Sequence, residues 1–472
     1  MALAQRELFD RADEAGAYHD PSRFGFFSVL VKNPDGGTFQ SSHRLVDMPT
    51  VLGLVDKTRD SWITQAEFIR PNRRVVNLAR VGLLFADLDT YNMPWAQGRT
   101  PEQLASTVLY ICHDVGLPTP SLLVFSGRGV QAKWLLETPV PRRALPRWNA
   151  CQRYLIDRLA DAGADPAAKD ASRVLRIIET VNSKSGEICH VVHVEKGADG
   201  QPVRYSFEYL AEVLLPIARW EIEQQREQRN ERRQLKLLQG SKNSGLRGFS
   251  GRQLAWDRLE DLRQLIKLRG GVQEGERMKH LFWHLNFLLL SGATHSGAMY
   301  HEAKALAREL SPNWNDYRSK ELMTLYAKAK QFEAGEKIEF GGKTYPPLYT
   351  PRNDTLINLF QITDEEQRKL RTLVSKGIAA ERHREREKAR RRAAGAVDRE
   401  TYLETANAKQ VQAQTLRAQG LSIRAIAQRM GISKTAVGRY VTETAERPKS
   451  VRITNGEAYG PKAPAPKGQV AQ

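Results

Sequence analysis

The sequence predicts a mixed α/β (α+β) domain over residues 1–218, an all-α domain over 253–350 and a small helix-turn-helix over 406–446. Three observations carry that reading. Strand-like and helix-like runs alternate as far as Leu214, helical periodicity alone runs from Gln253 to Gln331, and two short amphipathic segments flank Gly431 near the C-terminus. A chain of 472 residues is also too long for a single core, so several domains are expected.

In chain order, residues 24–31 (FGFFSVLV), 60–69 (DSWITQAEFI), 81–89 (VGLLFADLD), 121–137 (SLLVFSGRGVQAKWLLE) and 185–197 (SGEICHVVHVEKG) are rich in β-branched and aromatic residues and read as strands. Between them, 101–116 and 142–163 read as helices, and Leu104, Val108, Ile111 and Val115 recur at the spacing of one buried helical face. Residues 219–252 read as a charged linker that ends in the glycine- and serine-rich GSKNSGLRGFSG. The helical domain packs through Leu262, Leu265, Leu281, Leu285 and Leu288. In KIEFGGKTYPPLY, Gly342, Lys343 and Thr344 imitate the end of a Walker loop. Lys337 stands where its first glycine belongs and Pro346 and Pro347 block the following helix, so a hairpin turning at Gly341 and Gly342 is expected. Residues 351–405 read as a basic helix and linker, with seven lysines and arginines against three acids between Glu381 and Arg392. A solvated helix face and a phosphate-tracking arm fit that run equally well.

The C-terminal module is marked by its caps. Ser422 caps one helix, Gly431 turns the chain and Ser433 caps the next, while Ile423, Ile426, Ala427, Met430, Ile432, Val437, Tyr440 and Val441 face inward. Ser433, Lys434, Thr435, Gly438 and Arg439 then face outward, residue types suited to base edges and phosphates, against the alternative of a helical hairpin with no DNA role. The tail, 447–472, is rich in proline, glycine and lysine and is expected to be disordered.

Charge narrows the function. A net charge of +18 attracts polyanions, nucleic acid foremost. No membrane partner is expected, because the longest apolar stretch, 281–290, is too short to span and contains His284 and Asn286. The N-terminus has no apolar segment of the signal-peptide kind, and Cys112, Cys151 and Cys189 are scattered, so a cytoplasmic protein without a cysteine-rich zinc site is expected.

The chemistry concentrates at Asp87 and Asp89. Alternation along a strand puts both carboxylates on one face, about 7 Å apart at the backbone, where they suit Mg²⁺ or Mn²⁺. By itself D-x-D is equally a strand end with two solvated acids. Its flanks add Ser126, Gly127, Arg128, Gly129, Val130, Gln131, Ala132, Lys133 and Trp134, and then Asp170, Ala171, Ser172, Arg173, Val174, Leu175 and Arg176 with Asn182 and Lys184. These three blocks, over residues 25–215, resemble the catalytic domain of archaeo-eukaryotic-type primases of plasmids and phages.

The resemblance implies a primase-polymerase domain acting as a DNA primase, a nucleotidyltransferase using nucleoside triphosphates. It implies Asp87, Asp89 and Asp170 as metal-holding catalytic acids, with Asp165 the alternative third. Ser126, Gly127, Arg128, Gln131, Lys133, Arg173, Arg176 and Lys184 would bind the nucleotide. Gln131 departs from the family's usual histidine, with weaker nucleotide binding, substitution by Lys133 or catalytic loss as consequences. His190 and His193 read as ordinary strand residues.

The partners implied are a single-stranded DNA template, duplex origin DNA, and a host or separate helicase and polymerase. The helical domain occupies the place of an accessory domain. A DNA-binding initiator with an inactive primase-like domain is the alternative. A metal-dependent nuclease or relaxase fits worse, because no tyrosine nucleophile pairs with a histidine triad.

Overall fold

A computed structural model describes residues 10–216, 244–312, 314, 318–393, 395 and 399–442. The chain divides into two compact units between Ile378 and Ala379.

The first unit is built on a ten-stranded sheet whose strands run in the order β8–β3–β1–β4–β5–β7–β6–β9, with β2 on the far edge of β1 and β10 joined to β7. The strands are β1 (Phe26–Lys32), β2 (Thr38–Arg44), β3 (Ser61–Thr64), β4 (Ala66–Phe68), β5 (Leu78–Leu88), β6 (Leu122–Phe125), β7 (Val130–Pro141), β8 (Val174–Arg176), β9 (His190–Val194) and β10 (Arg204–Tyr205). All pairings are antiparallel except β7 with β10. Strands β5 and β7 form the spine, and each has a continuous buried run, Val81–Ala86 and Val130–Leu136, because the sheet is covered on both faces.

Helices α1 (Arg11–Gly16), α2 (Met48–Gly53), α3 (Pro101–Asp114), α4 (Leu145–Arg158) and α5 (Phe207–Leu214) pack around the sheet. Thr100 caps α3, exchanging bonds with Gln103 in a capping box, and Pro101 opens the helix where no amide donor is needed. Its Leu104 and Val108 are buried as expected, whereas Ile111 is partly buried.

A helical layer follows: α6 (Ser244–Leu268), α7 (Arg277–Leu290), α8 (Met299–Leu310), α9 (Met323–Glu333), α10 (Asn353–Phe360) and α11 (Asp364–Lys369). The expected hairpin is present, β11 (Ile338–Phe340) pairing with β12 (Lys343–Tyr345) around Gly341 and Gly342. Sheet and helical layer share one continuous apolar core, from Ala15 through Trp148 and Trp256 to Leu373.

Two sequence expectations change here. The glycine- and serine-rich stretch from Ser244 belongs to helix α6, while 219–243 of the expected linker lie outside the described residues. Residues 351–378 are not linker either: Leu356, Phe360, Ile362, Leu370, Leu373 and Ile378 are buried. The buried carboxylate of Asp261 fastens the end of that segment, accepting from the amides of Arg371 (2.8 Å), Thr372 (2.5 Å) and Leu373 (2.9 Å) and from the Thr372 hydroxyl. Apolar residues spread thinly between charges hide such a segment from composition.

The division between units falls within α12 (Lys376–Ala393). In the second unit α13 (Arg399–Ala418), α14 (Ile423–Met430) and α15 (Lys434–Thr442) enclose a small core of Ala413, Leu416, Ile426, Ala427 and Val437. The Ser422 and Ser433 hydroxyls accept from the amides of Ala425 (3.3 Å) and Ala436 (3.2 Å), as their positions before the helices require. Ile423, expected inward, is exposed at the first turn of α14. The tail expected to be disordered lies outside the described residues.

Candidate functional site

The site forms where β5 ends. Asp87 occupies the penultimate position of the strand and Asp89 follows it, so the pleat turns both toward one open cavity of about 560 Å³. The segment Gly163–Asp165 pins this end by two backbone bonds, Asp89 N to Gly163 O and Asp165 N to Asp87 O, both 2.8 Å. Across the ladder Asp87 pairs with Gln131 of β7, which also lines the cavity.

The turn between β6 and β7 forms the next wall. The Ser126 amide donates to Gly129 O (2.8 Å) and its hydroxyl is bonded to both ends of Gly129, closing the turn on itself. Gly127 sits at φ +88°, and a Cβ there would lie 2.5 Å from the side chain of Asn182. At Gly129 a Cβ would strike the carbonyl of Leu88. Only glycine lets this turn approach both neighbours. Asn182 ties it further, donating to Ser126 O (2.9 Å) while accepting from the Lys184 amide (3.1 Å). The turn carries Arg128, whose guanidinium lies 3.6 Å from the centre of the Tyr91 ring.

Opposite, β8 and its approach deliver Asp170, Arg173 and Arg176 to the cavity, and Lys184 lies on its rim. Asp170 is partly engaged by its own turn, accepting from the Ser172 amide (3.0 Å) and hydroxyl (2.6 Å). Arg173 pairs with Asp165 at 2.7 Å, and Arg176 with Asp60 at 2.6 Å while stacking over Trp62.

Electrostatics separates the acids. Burial pushes Asp87 up to about 6, and although Arg173 opposes this, the charges of Asp89 and Asp165 reinforce it. Burial acts to raise Asp60 as well, but hydrogen bonds from Ser183 and the pairing with Arg176 outweigh it and hold Asp60 at about 2. Asp165 thus adds to the negative field at Asp87, while Asp170 lines the same cavity as Asp87.

Among the described residues no three histidine, cysteine or acidic side chains stand close enough to hold one metal ion. The donor chemistry fits a hard divalent ion held by Asp87 and Asp89, with its other positions left to phosphate or water. Burial, with the charges of Asp89 and Asp165 behind it, disfavours the Asp87 carboxylate, and a bound cation would favour it.

Of the sequence-predicted residues, Asp87, Asp89, Asp170, Ser126, Arg128, Gln131, Arg173, Arg176 and Lys184 line this one cavity, with Gly127 buried in its wall. Lys133 does not. It shares the face of Gln131 but lies fully buried, paired with Glu14 of α1 and placed over the Tyr18 ring, so it is a core cation and cannot stand in for a histidine at Gln131. Asp60, Lys32 and Tyr91 also line the cavity and escaped the sequence reading. Asp60 opens a strand pattern, and nothing local distinguishes it from any acid at a strand start. In the second unit Ser433, Lys434, Thr435 and Arg439 are all exposed along α15.

The chain is similar to a known replication protein. A replication protein of Clostridium perfringens is 26% identical over 319 residues, covering 67% of this chain and 68% of that one. No family model matches. Among solved structures, the primase-polymerase domain of cyanophage S-2L aligns with a TM-score of 0.32 at 18% identity, over 45% of this chain and 98% of its own. The primase RepB' aligns at 0.26 and 15% identity over 68% and 94%. Its catalytic domain in complex with initiator DNA aligns at 0.27 and 16% over 48% and 100%.

Proposed function

We propose that this chain is a replication primase of plasmid or phage type, a template-directed nucleotidyltransferase that starts chains on single-stranded DNA and is held at duplex origin DNA by its C-terminal helices. The observation that carries the reading is the convergence on one cavity of Asp87, Asp89, the closed Ser126–Gly129 turn and four cations, Arg128, Arg173, Arg176 and Lys184. Similarity to a replication protein along two thirds of both chains supports it.

In this reading Asp87 and Asp89 hold Mg²⁺ or Mn²⁺ together with Asp170, or with Asp165 in its place. Such an ion, when bound, stabilises charge on the attacking and leaving oxygens of phosphoryl transfer. The protein's own groups position the substrate. Arg128 and Lys184 form no ion pair among the described residues and meet the triphosphate directly, while Arg173 and Arg176 contribute charge already oriented by Asp165 and Asp60. Gln131 offers a neutral hydrogen bond beside Asp87.

In the second unit α14 and α15 act as a helix-turn-helix, with Ser433, Lys434, Thr435 and Arg439 meeting bases and phosphates of the duplex. A host or separate helicase opens the origin, and a host or separate polymerase extends the primer.

Incorporation of labelled nucleotides on an unprimed single strand with Mg²⁺ or Mn²⁺ tests the catalytic claim. Product from the intact protein and its loss in Asp87→Ala/Asp89→Ala is expected. A folded, DNA-binding protein that makes no product would instead be an initiator or regulator with an inactive domain. One observation favours that second reading: Gln131 replaces the histidine that the primase resemblance implies, and its buried Oε1 has no hydrogen-bond partner among the described residues.

A further inference from the structure

A second cavity, of about 380 Å³, lies where the helical layer meets the sheet. Strand β2 gives it Gln40 and Ser42, the turn before β5 gives Arg74, and α8 gives His301, Lys304 and Arg308. The three α8 residues follow at i, i+3 and i+7, so they form one row about 10 Å long, in which Lys304 and Arg308 carry the positive charge. Lys304 and Arg308 form no ion pair among the described residues. The one acid of this part of α8, Glu302, points the other way, buried and accepting from the amides of Val75 (3.0 Å) and Val76 (3.2 Å). Desolvation first, then the charges of Arg74, Lys304 and Arg73, holds His301 below its ordinary value, which favours its neutral form.

The cavity adjoins the acidic one. Thr38, Gln40 and Ser42 lie on one face of β2 by alternation, and Thr38 lines the acidic cavity while the other two line the basic one. Arg73 lines the acidic cavity and donates to Gln40 Oε1 (2.9 Å), while its neighbour Arg74 lines the basic one. An open strand face therefore leads from Asp87 and Asp89 to the α8 row.

We propose that this basic cleft binds the sugar-phosphate backbone of a single DNA strand whose adjoining nucleotides occupy the acidic cavity. The inference rests on the primase reading for the identity of that strand. An extended row of cations suits successive phosphates along a backbone, whereas a nucleoside triphosphate concentrates its charge at one point. Among the described residues no phenylalanine, tyrosine or tryptophan lines the cleft, so it tracks the backbone without stacking bases and without sequence preference.

The test measures binding of a fluorescent oligothymidylate to the full chain at several salt concentrations, for the intact protein and for Lys304→Gln/Arg308→Gln. Both side chains are exposed, and unchanged thermal unfolding of the variant verifies its fold. Removing two cations that neutralise backbone phosphates lowers the slope of log K against log salt by about 1.4. A second variant, Lys304→Glu, changes the net charge by the same two units at one position and weakens binding as well, through repulsion. Equal slopes and affinities for intact and variant proteins would overturn the proposal. So would a variant that loses affinity for ATP alone, which would make the cleft a nucleotide subsite. A lowered slope in a protein that makes no primers would leave the cleft standing and remove the primase reading.

Discussion

Lys133 shows how one residue changes meaning between sequence and structure. In the strand pattern it stands two positions after Gln131 and invites a role at the phosphates, yet it is sealed inside with Glu14, a partner 119 residues away. Breaking a buried pair leaves the other charge stranded, at a cost of about 3–5 kcal/mol, whereas replacing both members by neutral groups of similar shape costs far less. Lys133→Met is therefore expected to lower unfolding stability by about that amount in denaturant titration, with much of it restored in Glu14→Gln/Lys133→Met. A substrate-binding lysine would instead raise KM in a normally stable protein. The paired aspartates were legible because their message is local: two acids at i and i+2 of a strand share a face whatever surrounds them. The pinning of that strand end was not, since the backbone rungs from Asp87 and Asp89 run to the distant segment Gly163–Asp165.

At the scale of elements, two carboxylates join the helical layer to the rest of the first unit. Glu302 of α8 is buried against the turn that enters β5, and burial raises it from 4.5 to about 7 against the pull of its two amide donors. A folded state that holds a proton more tightly than the unfolded chain has its full advantage below pH 4.5 and loses it as pH rises through 7. Glu302→Gln is expected to flatten the unfolding midpoint between those pH values relative to the intact protein, as followed by thermal melts across the range. Asp261 of α6 acts differently, since it gathers three backbone amides and a hydroxyl of residues 371–373. Removing it strands those donors, and Asp261→Ala is expected to cost about 3 kcal/mol in equilibrium unfolding. Helix ends near the C-terminus were readable because Ser422 and Ser433 cap them through bonds to residues three positions on. The junction between layers was not, because Glu302 meets Val75 across 227 residues.

For the whole molecule, the two compact units imply separable functions. Lys434→Ala/Arg439→Ala is expected to weaken duplex binding and to reduce its salt slope by about 0.9 for each phosphate no longer neutralised, while primer synthesis on a short single strand persists. Gel shifts of duplex DNA alongside the incorporation assay check both halves. By itself the sequence determined what depends on near neighbours: the runs of strand-forming residues that make β5 and β7, the capped helices around Gly431, the hairpin at Gly341 and Gly342, and the pairing of Asp87 with Asp89. The strong positive charge, a sum over residues, was equally plain. Tertiary structure alone decided which cations face a cavity and which are locked in the core, which acids repel one another, and that residues 351–378 pack into the first unit. Those outcomes follow from burial and from partners far apart in the chain, and periodicity along a sequence carries no information about which distant side chain will arrive to desolvate or neutralise a charge.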